Sequence, residues 1–273
     1  MSTLIVAAPF DLFGNAGTGA GAQLLADAIQ EMLADNRRER QPARCQAYDG
    51  QVTLKEFEFE TLPDYQRYHQ EARQIAHSAI ENDQFLIWLG GNHLSVLPLL
   101  EELGTKAGSA VVQFDAHLDV YNLTDCTTKP SHGNFLLHAE RSLPPIAHVG
   151  HRDLFLPAEH IAKHFRLTLP AEQLAVSTEK CLAGLRRFVT KAKQIWIDID
   201  CDVFDPAFFP AVCEPQPFGI APTLFLRMLD AIWSPKVVGF SISEFNPARD
   251  MRDQSLATLV WLIEHALLRR CEK

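Results

Sequence analysis

The chain has 273 residues, 47% of them hydrophobic, enough to bury a sizeable core in one large α/β unit or two ordinary ones. No basic block offsets its formal charge of -9, and its Lys and Arg residues are scattered, which argues against a nucleic-acid partner or an anionic membrane surface. Six cysteines, widely spaced and without a CxxC pair, fit neither a disulfide framework nor a zinc knuckle; with no signal-peptide pattern and no run of membrane-spanning length, the expectation is a soluble, reduced, cytoplasmic protein.

Short apolar runs alternate with longer amphipathic stretches, the pattern of a parallel sheet covered by helices on both faces. Residues 4–8 read as the first strand. The Gly17-Thr-Gly19-Ala-Gly21 that follows lacks the GxGxxG register, so it reads as the turn into a helix over 21–36 rather than a phosphate loop. Around Asp49-Gly50, residues 44–48 and 52–59 suit either an edge hairpin or two parallel edge strands, and the Phe-Glu-Phe-Glu alternation at 57–60 suits an edge strand. A helix over 63–82 leads to a strand at 85–89 and a helix over 94–103 that Gly104 stops. Strands at 110–114 and 146–149, helices at 157–165 and 178–192, with Thr178 as a start signal, a strand at 194–199, a helix at 222–233, a strand at 237–242 and a helix at 254–270 complete the chain. The fold class expected is a three-layer α/β/α arrangement with a mostly parallel central sheet, residues 1–273 forming a single domain.

Four of these strands carry polar residues at their C-terminal ends: Gly90-Gly91-Asn92-His93, Asp115-Ala-His117-Leu-Asp119, Asp200-Cys-Asp202 and Ser243-Glu244-Phe-Asn246. In an open parallel sheet those ends share one rim and line the ligand crevice. Strand alternation would project Asp115, His117 and Asp119 together, and Asp200 with Asp202 likewise. Gathering four carboxylates without a counter-charge is strongly unfavourable, and two divalent cations resolve it. An oxygen-rich set with imidazoles favours Mn²⁺ or a related first-row ion over a thiolate zinc site, and such a pair lowers the pKa of a bound water from about 16 towards about 7. Alone, an Asp-x-Asp at a strand end is an ordinary loop cap; its coincidence with the other clusters carries the metal reading. Asp198, one register earlier, reads as support for a ligand, and Asp205-Pro206 as a turn whose carboxylate holds the loop.

Together, Gly90-Gly91-Asn92-His93, Asp115-Ala-His117-Leu-Asp119, Ser131-His132-Gly133 and Asp200-Cys-Asp202-Val-Phe-Asp205-Pro206 resemble the signature blocks of the ureohydrolase family of arginase, agmatinase, formiminoglutamase and relatives, in family order. The resemblance implies bridging carboxylates at Asp115 and Asp200, with His93 and Asp119 completing one metal site and His117 and Asp202 the other, and two Mn²⁺ per chain. It implies a proton-shuttle role for His132 and a carboxylate at Glu244 that pairs with a substrate guanidinium. The implied partner is a small guanidino compound, with no nucleic acid or membrane involved and a homo-oligomer left open. The implied activity is that of a C–N hydrolase acting on linear amidines. Arginase-like spacing favours an arginine-type amino acid, L-arginine or a modified form such as N-hydroxy-L-arginine, yielding ornithine and urea or hydroxyurea.

Departures from the family pattern bear on the substrate. Asn92 stands where an Asp is usual, the 206–215 stretch brings Cys213 and Glu214 near the site, and the loop 120–128 keeps Asn122, Thr127 and Thr128 as carboxylate contacts, with Asp153 or Glu159 facing an ammonium. His69, His77, His160, His164 and His265 read as partly exposed or capping helix residues, while His138, His148 and His151 lie nearer the rim. Rival readings are an agmatinase, guanidino-acid or formiminoglutamate hydrolase and, from another class, a catalytically silent regulatory binding protein of the same fold.

Overall fold

The computed structural model describes residues 2–39, 43–57, 62–123 and 128–272. Eight strands form one sheet in the order β2-β1-β3-β8-β7-β4-β5-β6. They are β1 (Thr3–Ala8), β2 (Val52–Glu56), β3 (Phe85–Gly90), β4 (Ser109–Phe114), β5 (Ile146–Val149), β6 (Leu167–Leu169), β7 (Gln194–Asp200) and β8 (Val237–Ser243), every neighbouring pair parallel. Every residue of β3 and β4 is buried, as expected for central strands covered on both faces.

Alternate residues of β1 enter different cores. Ile5 and Ala7 pack with Leu25 and Ile29 of α1 (Thr18–Arg38), Leu182 and Leu185 of α5 (Ala171–Thr190), Phe225 of α6 (Pro222–Ile232) and Ile263 of α7 (Gln254–Cys271). Val6 and Ala8 join the opposite core, which holds Tyr68 of α2 (Leu62–Glu81) and Leu100 of α3 (Leu97–Gly104), with Ile161 of α4 (Ala158–His164) packed against it. The period-two alternation of the strands thus produces the three layers. No helix among the described residues is long and apolar enough to cross a membrane.

Several local expectations change. Residues 44–48 make no strand: Arg44–Ala47 is a 3₁₀ turn, and β2 pairs parallel with β1, so neither proposed edge arrangement holds. Of the Phe-Glu-Phe-Glu stretch, Phe57 is buried beyond the end of β2 and 58–60 lie outside the described residues. The short edge strand β6 was not anticipated. Helix α5 gains a segment from Ala171 behind Pro170 that was not read, and non-helical Ser177 (φ -141°, ψ 41°) separates it from the helical segment that begins at Thr178 as expected. Gly17, with φ 98°, does turn the chain into α1.

Candidate metal centre

Strands β3, β8, β7 and β4 are consecutive neighbours in the sheet, so the segments leaving their C-terminal ends meet although they lie up to about 150 residues apart in sequence. The mechanism of convergence is not strand alternation. β4 stops at Phe114, and Asp115 to Asp119 form a turn in which Asp115 Oδ1 accepts from the His117 amide (2.6 Å) and Asp119 takes φ 51°. β7 likewise ends at Asp200, whose Oδ1 accepts from the amide of Asp202 (2.9 Å) at the start of the 3₁₀ turn Cys201–Val203. Asp202 Oδ1 accepts from the Ala116 amide (3.0 Å), stitching the two turns together. His93 begins the 3₁₀ turn His93–Val96 after β3, and its amide donates to Glu244 Oε1 (2.8 Å).

Two groups of ligand atoms result, each with its atoms within 4.8 Å of one another: His93, Asp115, Asp119 and Asp200 in one, Asp115, His117 and Asp202 in the other. Asp115 belongs to both, whereas Asp200 joins only the first. His93 Nδ1 lies 3.3 Å from Asp115 Oδ2, 2.9 Å from Asp119 Oδ2 and 3.1 Å from Asp200 Oδ2. Neither His93 Nδ1 nor Asp115 Oδ2 has a properly aligned hydrogen bond, although both are buried. An imidazole nitrogen and three carboxylate oxygens turned towards one another, two of these atoms without a hydrogen bond, in a group with no Lys or Arg, form a donor set that fits a divalent cation.

Charge strain accompanies that geometry. Burial, then the neighbouring Asp119, raises the Asp115 carboxyl to about 7, and burial with Asp202 and Asp115 holds Asp200 well above the ordinary carboxylate range. Burial alone would raise Asp202 too, yet its hydrogen bond and ion pair with His117, at 2.7 Å, leave it lowered. Burial opposes charge on His93 and His117 as well; Asp198 and the ligand carboxylates overcome it at His93, raising it well above its ordinary value, and Asp202 leads in raising His117 to about 10.

Behind His93, Asp198 Oδ2 lies 2.9 Å from Nε2 and also accepts from Gln113 Nε2 (3.0 Å), while Asp198 Oδ1 accepts from Ser241 Oγ (2.6 Å). This fixes the ring with Nδ1 towards the carboxylates, the supporting part expected of Asp198. Asp205 holds its loop as expected, accepting from the amides of Ala207 and Gly219. Asn92 is explained by the loop after β1: its Nδ2 donates to the carbonyls of Leu12 (2.8 Å) and Gly14 (2.9 Å), bonds that a carboxylate cannot donate. That loop places Asn15, which sequence reasoning missed, 3.1 Å from His132 Nδ1 and 2.8 Å from Glu244 Oε2 through the same Nδ2. Burial lowers the His132 imidazole, opposed by the charges of Asp119 and Glu214, and raises the Glu244 carboxyl to about 8 against the bonds from His93 and Asn15.

The candidate substrate contacts are less gathered. Asn122, Thr128 and Glu214 are exposed, and 124–127, which includes Thr127, lies outside the described residues. Asp153 Oδ2 accepts from Tyr121 (3.0 Å) while Oδ1 accepts from the amides of Phe155 (3.0 Å) and Leu156 (2.7 Å), so its carboxylate already organises the loop after β5. Asp153, Leu154, Glu172, Val176, Gln216 and Phe218 line a cavity of about 530 Å³, and Gln216 Nε2 lies 3.3 Å from His117 Nε2, joining the cavity to the ligand cluster. Arg152, also in its wall, donates to the carbonyls of Gly150, Asp202, Val203 and Gln216, clamping the loops on which Asp202 and Gln216 sit. Among the remaining histidines, His69 is buried rather than partly exposed, His148 is buried in β5, and His151 lines the cavity.

Agmatinase of Proteus mirabilis is 30% identical over 60% of this chain and 53% of its own length, and agmatinase of Photorhabdus laumondii is 25% identical over 92% and 81%. The matched stretch therefore spans about half of the first relative and most of the second. The crystal structure of an arginase from Bacillus subtilis superposes with a TM-score of 0.82 at 18% identity, covering 98% of each chain, which establishes the shared fold. Residues 1–268 match the family model described as the arginase family, and the chain belongs to that family.

Proposed function

We propose that residues 1–273 act as one catalytic unit, a two-metal amidinohydrolase that cleaves the guanidino group of an arginine-type amino acid, L-arginine or N-hydroxy-L-arginine, to ornithine and urea or hydroxyurea. The observation that carries the reading is the pair of ligand groups sharing Asp115, with Glu244 and His132 joined beside them through Asn15. His93, Asp115, Asp119 and Asp200 would hold one ion and Asp115, His117 and Asp202 the other, Mn²⁺ being the ion their oxygen-rich chemistry suits. When bound, such ions supply Lewis acidity and make a water acidic enough to be a nucleophile near neutral pH.

The chain's own groups do the rest. Glu244, buried and anchored on the His93 amide, orients the guanidinium, whose positive charge favours the ionised carboxylate that burial opposes. Asp119 accepts the proton released on attack at the guanidino carbon. The departing amine needs a proton, which His132 delivers, a service worth about 10² to 10⁴ in rate. Asn122, Thr128, Asp153 and Glu214 are proposed to hold the amino-acid end.

One observation favours a second reading, an amine-tailed guanidine such as agmatine. The cavity beside His117 has apolar walls with Asp153 and Glu172, and Arg152 is committed to four carbonyls rather than free for a carboxylate. Metal analysis of protein purified without chelator, with turnover of arginine, N-hydroxy-arginine, agmatine and guanidinobutyrate, tests both. Two manganese per chain with urea or hydroxyurea released from the amino acids is the expected result. Agmatine as the best substrate would select the second reading, and absence of bound metal and of turnover would refute both.

A further inference from the structure

We propose that the cavity beside His117 is a subsite for an apolar group at the far end of the guanidine substrate, so that acyl- or aryl-extended forms of arginine or agmatine are better substrates than the parent compounds. The assignment rests on the proposed amidinohydrolase reading and adds to it the chemistry of the part of the substrate that does not react.

Three separate segments meet in the cavity wall. The loop after β5 brings Leu154, the part of α5 before the break at Ser177 brings Val176, and the loop 213–219 brings Phe218. Among the described residues these are the three most exposed large apolar side chains, Leu154 at 100% and Val176 and Phe218 at 83% each. Single apolar residues scattered over a surface are ordinary, whereas three segments that turn such side chains to one cavity mark a binding face.

The backbone holds this face in place. Asp153 Oδ1 accepts from the amides of Phe155 and Leu156, closing a turn that carries Leu154. The Ala171 amide donates to His151 O (3.1 Å), fixing the start of α5 against the segment that leaves β5. Phe218 adopts φ 61°, a left-handed conformation that is costly for a bulky side chain and is found where the surroundings impose it. Those surroundings are visible on both sides of it. The Gly219 amide donates to Asp205 Oδ2 (2.9 Å), a Cβ at 219 would meet Asp205 N at 2.3 Å, and Arg152 Nη2 donates to Gln216 O (3.2 Å). The free protein therefore holds a strained aromatic residue in water, and a ligand that covers its ring removes apolar surface that folding leaves exposed.

Gln216 Nε2, 3.3 Å from His117 Nε2, marks the inner end of the cavity, so a guanidine held at the ligand cluster reaches the cavity with its far end. Its volume of about 530 Å³ is that of pockets that take drug-sized molecules, and mostly apolar walls with a few polar groups are their usual lining. A carboxylate entering it finds no uncommitted Arg or Lys among the lining residues, because Arg152 donates to four carbonyls. An aryl or alkyl group covers Leu154, Val176 and Phe218 together.

The test compares kcat/KM, with Mn²⁺ present, for Nα-benzoyl-L-arginine against L-arginine and for N-benzoylagmatine against agmatine. Burying a phenyl ring predicts a gain of about 10- to 100-fold in at least one pair, carried by KM. Phe218→Ser and Val176→Ser, exposed positions on different segments, should each lower that ratio by about fivefold or more. Ratios near one in the wild type, or a gain that neither variant lowers, would overturn the assignment. So would a wild-type oligomer in light scattering that dissociates in Phe218→Ser, because a second copy of the chain would then cover the face. If no guanidine is hydrolysed the functional reading fails, and titration calorimetry of N-benzoylagmatine decides the subsite alone. Binding that both variants weaken keeps it; no binding, or binding unaltered in both, removes it.

Discussion

Two of the groupings of acids with a histidine among the described residues differ in one ingredient. His93, Asp115, Asp119 and Asp200 converge without a basic side chain among them, whereas His69, Glu101 and Glu140 enclose Arg73, whose Nε is 3.2 Å from Glu101 Oε2 and whose Nη2 is 2.6 Å from Glu140 Oε2. Both bring their ligand atoms within 4.8 Å of one another. The second already contains its cation, and its carboxylates are ion-paired in a network joining α2, α3 and the segment after the 3₁₀ turn Phe135–His138, although Glu101 Oε2 has no aligned hydrogen bond. In the first, no Lys or Arg supplies the compensating charge, which a bound cation would bring. A cluster's unbalanced charge, more than its mere gathering of ligands, is what distinguishes a metal centre from a structural network.

The sharpest way to break that distinction is to neutralise one acid in the first grouping. Asp200→Asn should abolish turnover to background and metal-induced thermal stabilisation, while the metal-free protein melts no lower than wild type because burial beside Asp202 and Asp115 already disfavours the ionised carboxylate there. A metal-free variant that melts much lower than metal-free wild type would make Asp200 structural. In the second grouping the converse applies. Arg73→Ala strands Glu101, whose side chain is fully buried, and should cost about 3–5 kcal/mol in denaturant unfolding while the folded fraction keeps its kcat. Between the two in character lies Asp198→Asn, which loosens the support of His93 without removing a ligand; metal affinity should fall about 10- to 100-fold by titration calorimetry.

The same contrast explains what could be read from sequence. Buried strands such as Phe85–Gly90 announce themselves as continuous apolar runs, and the ligand blocks follow them directly because the rim of a parallel sheet is where polar residues can gather. The route of convergence was not legible: Asp115 and Asp119 meet His93 through a turn with φ 51° at Asp119, where alternation along an extended strand had been expected. The strand Leu167–Leu169 is only three residues long, and two of them are partly exposed, so no periodicity marks it. Asn15 lies 117 residues from His132 and 229 from Glu244, and Gln216 lies 99 from His117; an isolated amide in a loop has no local pattern to reveal such partners. Its neighbours Gly14 and Gly17 marked only a turn.

The smallest expected effect concerns protons in the compensated grouping. Burial, then the positive charge of Arg73, lowers the His69 imidazole to about 4, against the opposing charge of Glu140 and with a further lowering by Arg141. Its ring Nδ1 lies 2.7 Å from Arg73 Nη2, a donor that only a neutral, accepting nitrogen can satisfy. In the unfolded chain the same imidazole titrates near 6.5. Between pH 6.5 and about 4 the unfolded state therefore binds more protons than the folded one, so stability rises with pH across that window and falls on acidification. His69→Gln removes that titration and should flatten the acid limb of stability against pH relative to wild type, with little change above pH 7 beyond a constant offset. Superimposable acid limbs would show that His69 takes up its proton without leaving Arg73, and the neutral ring accepting from Arg73 would then be wrong.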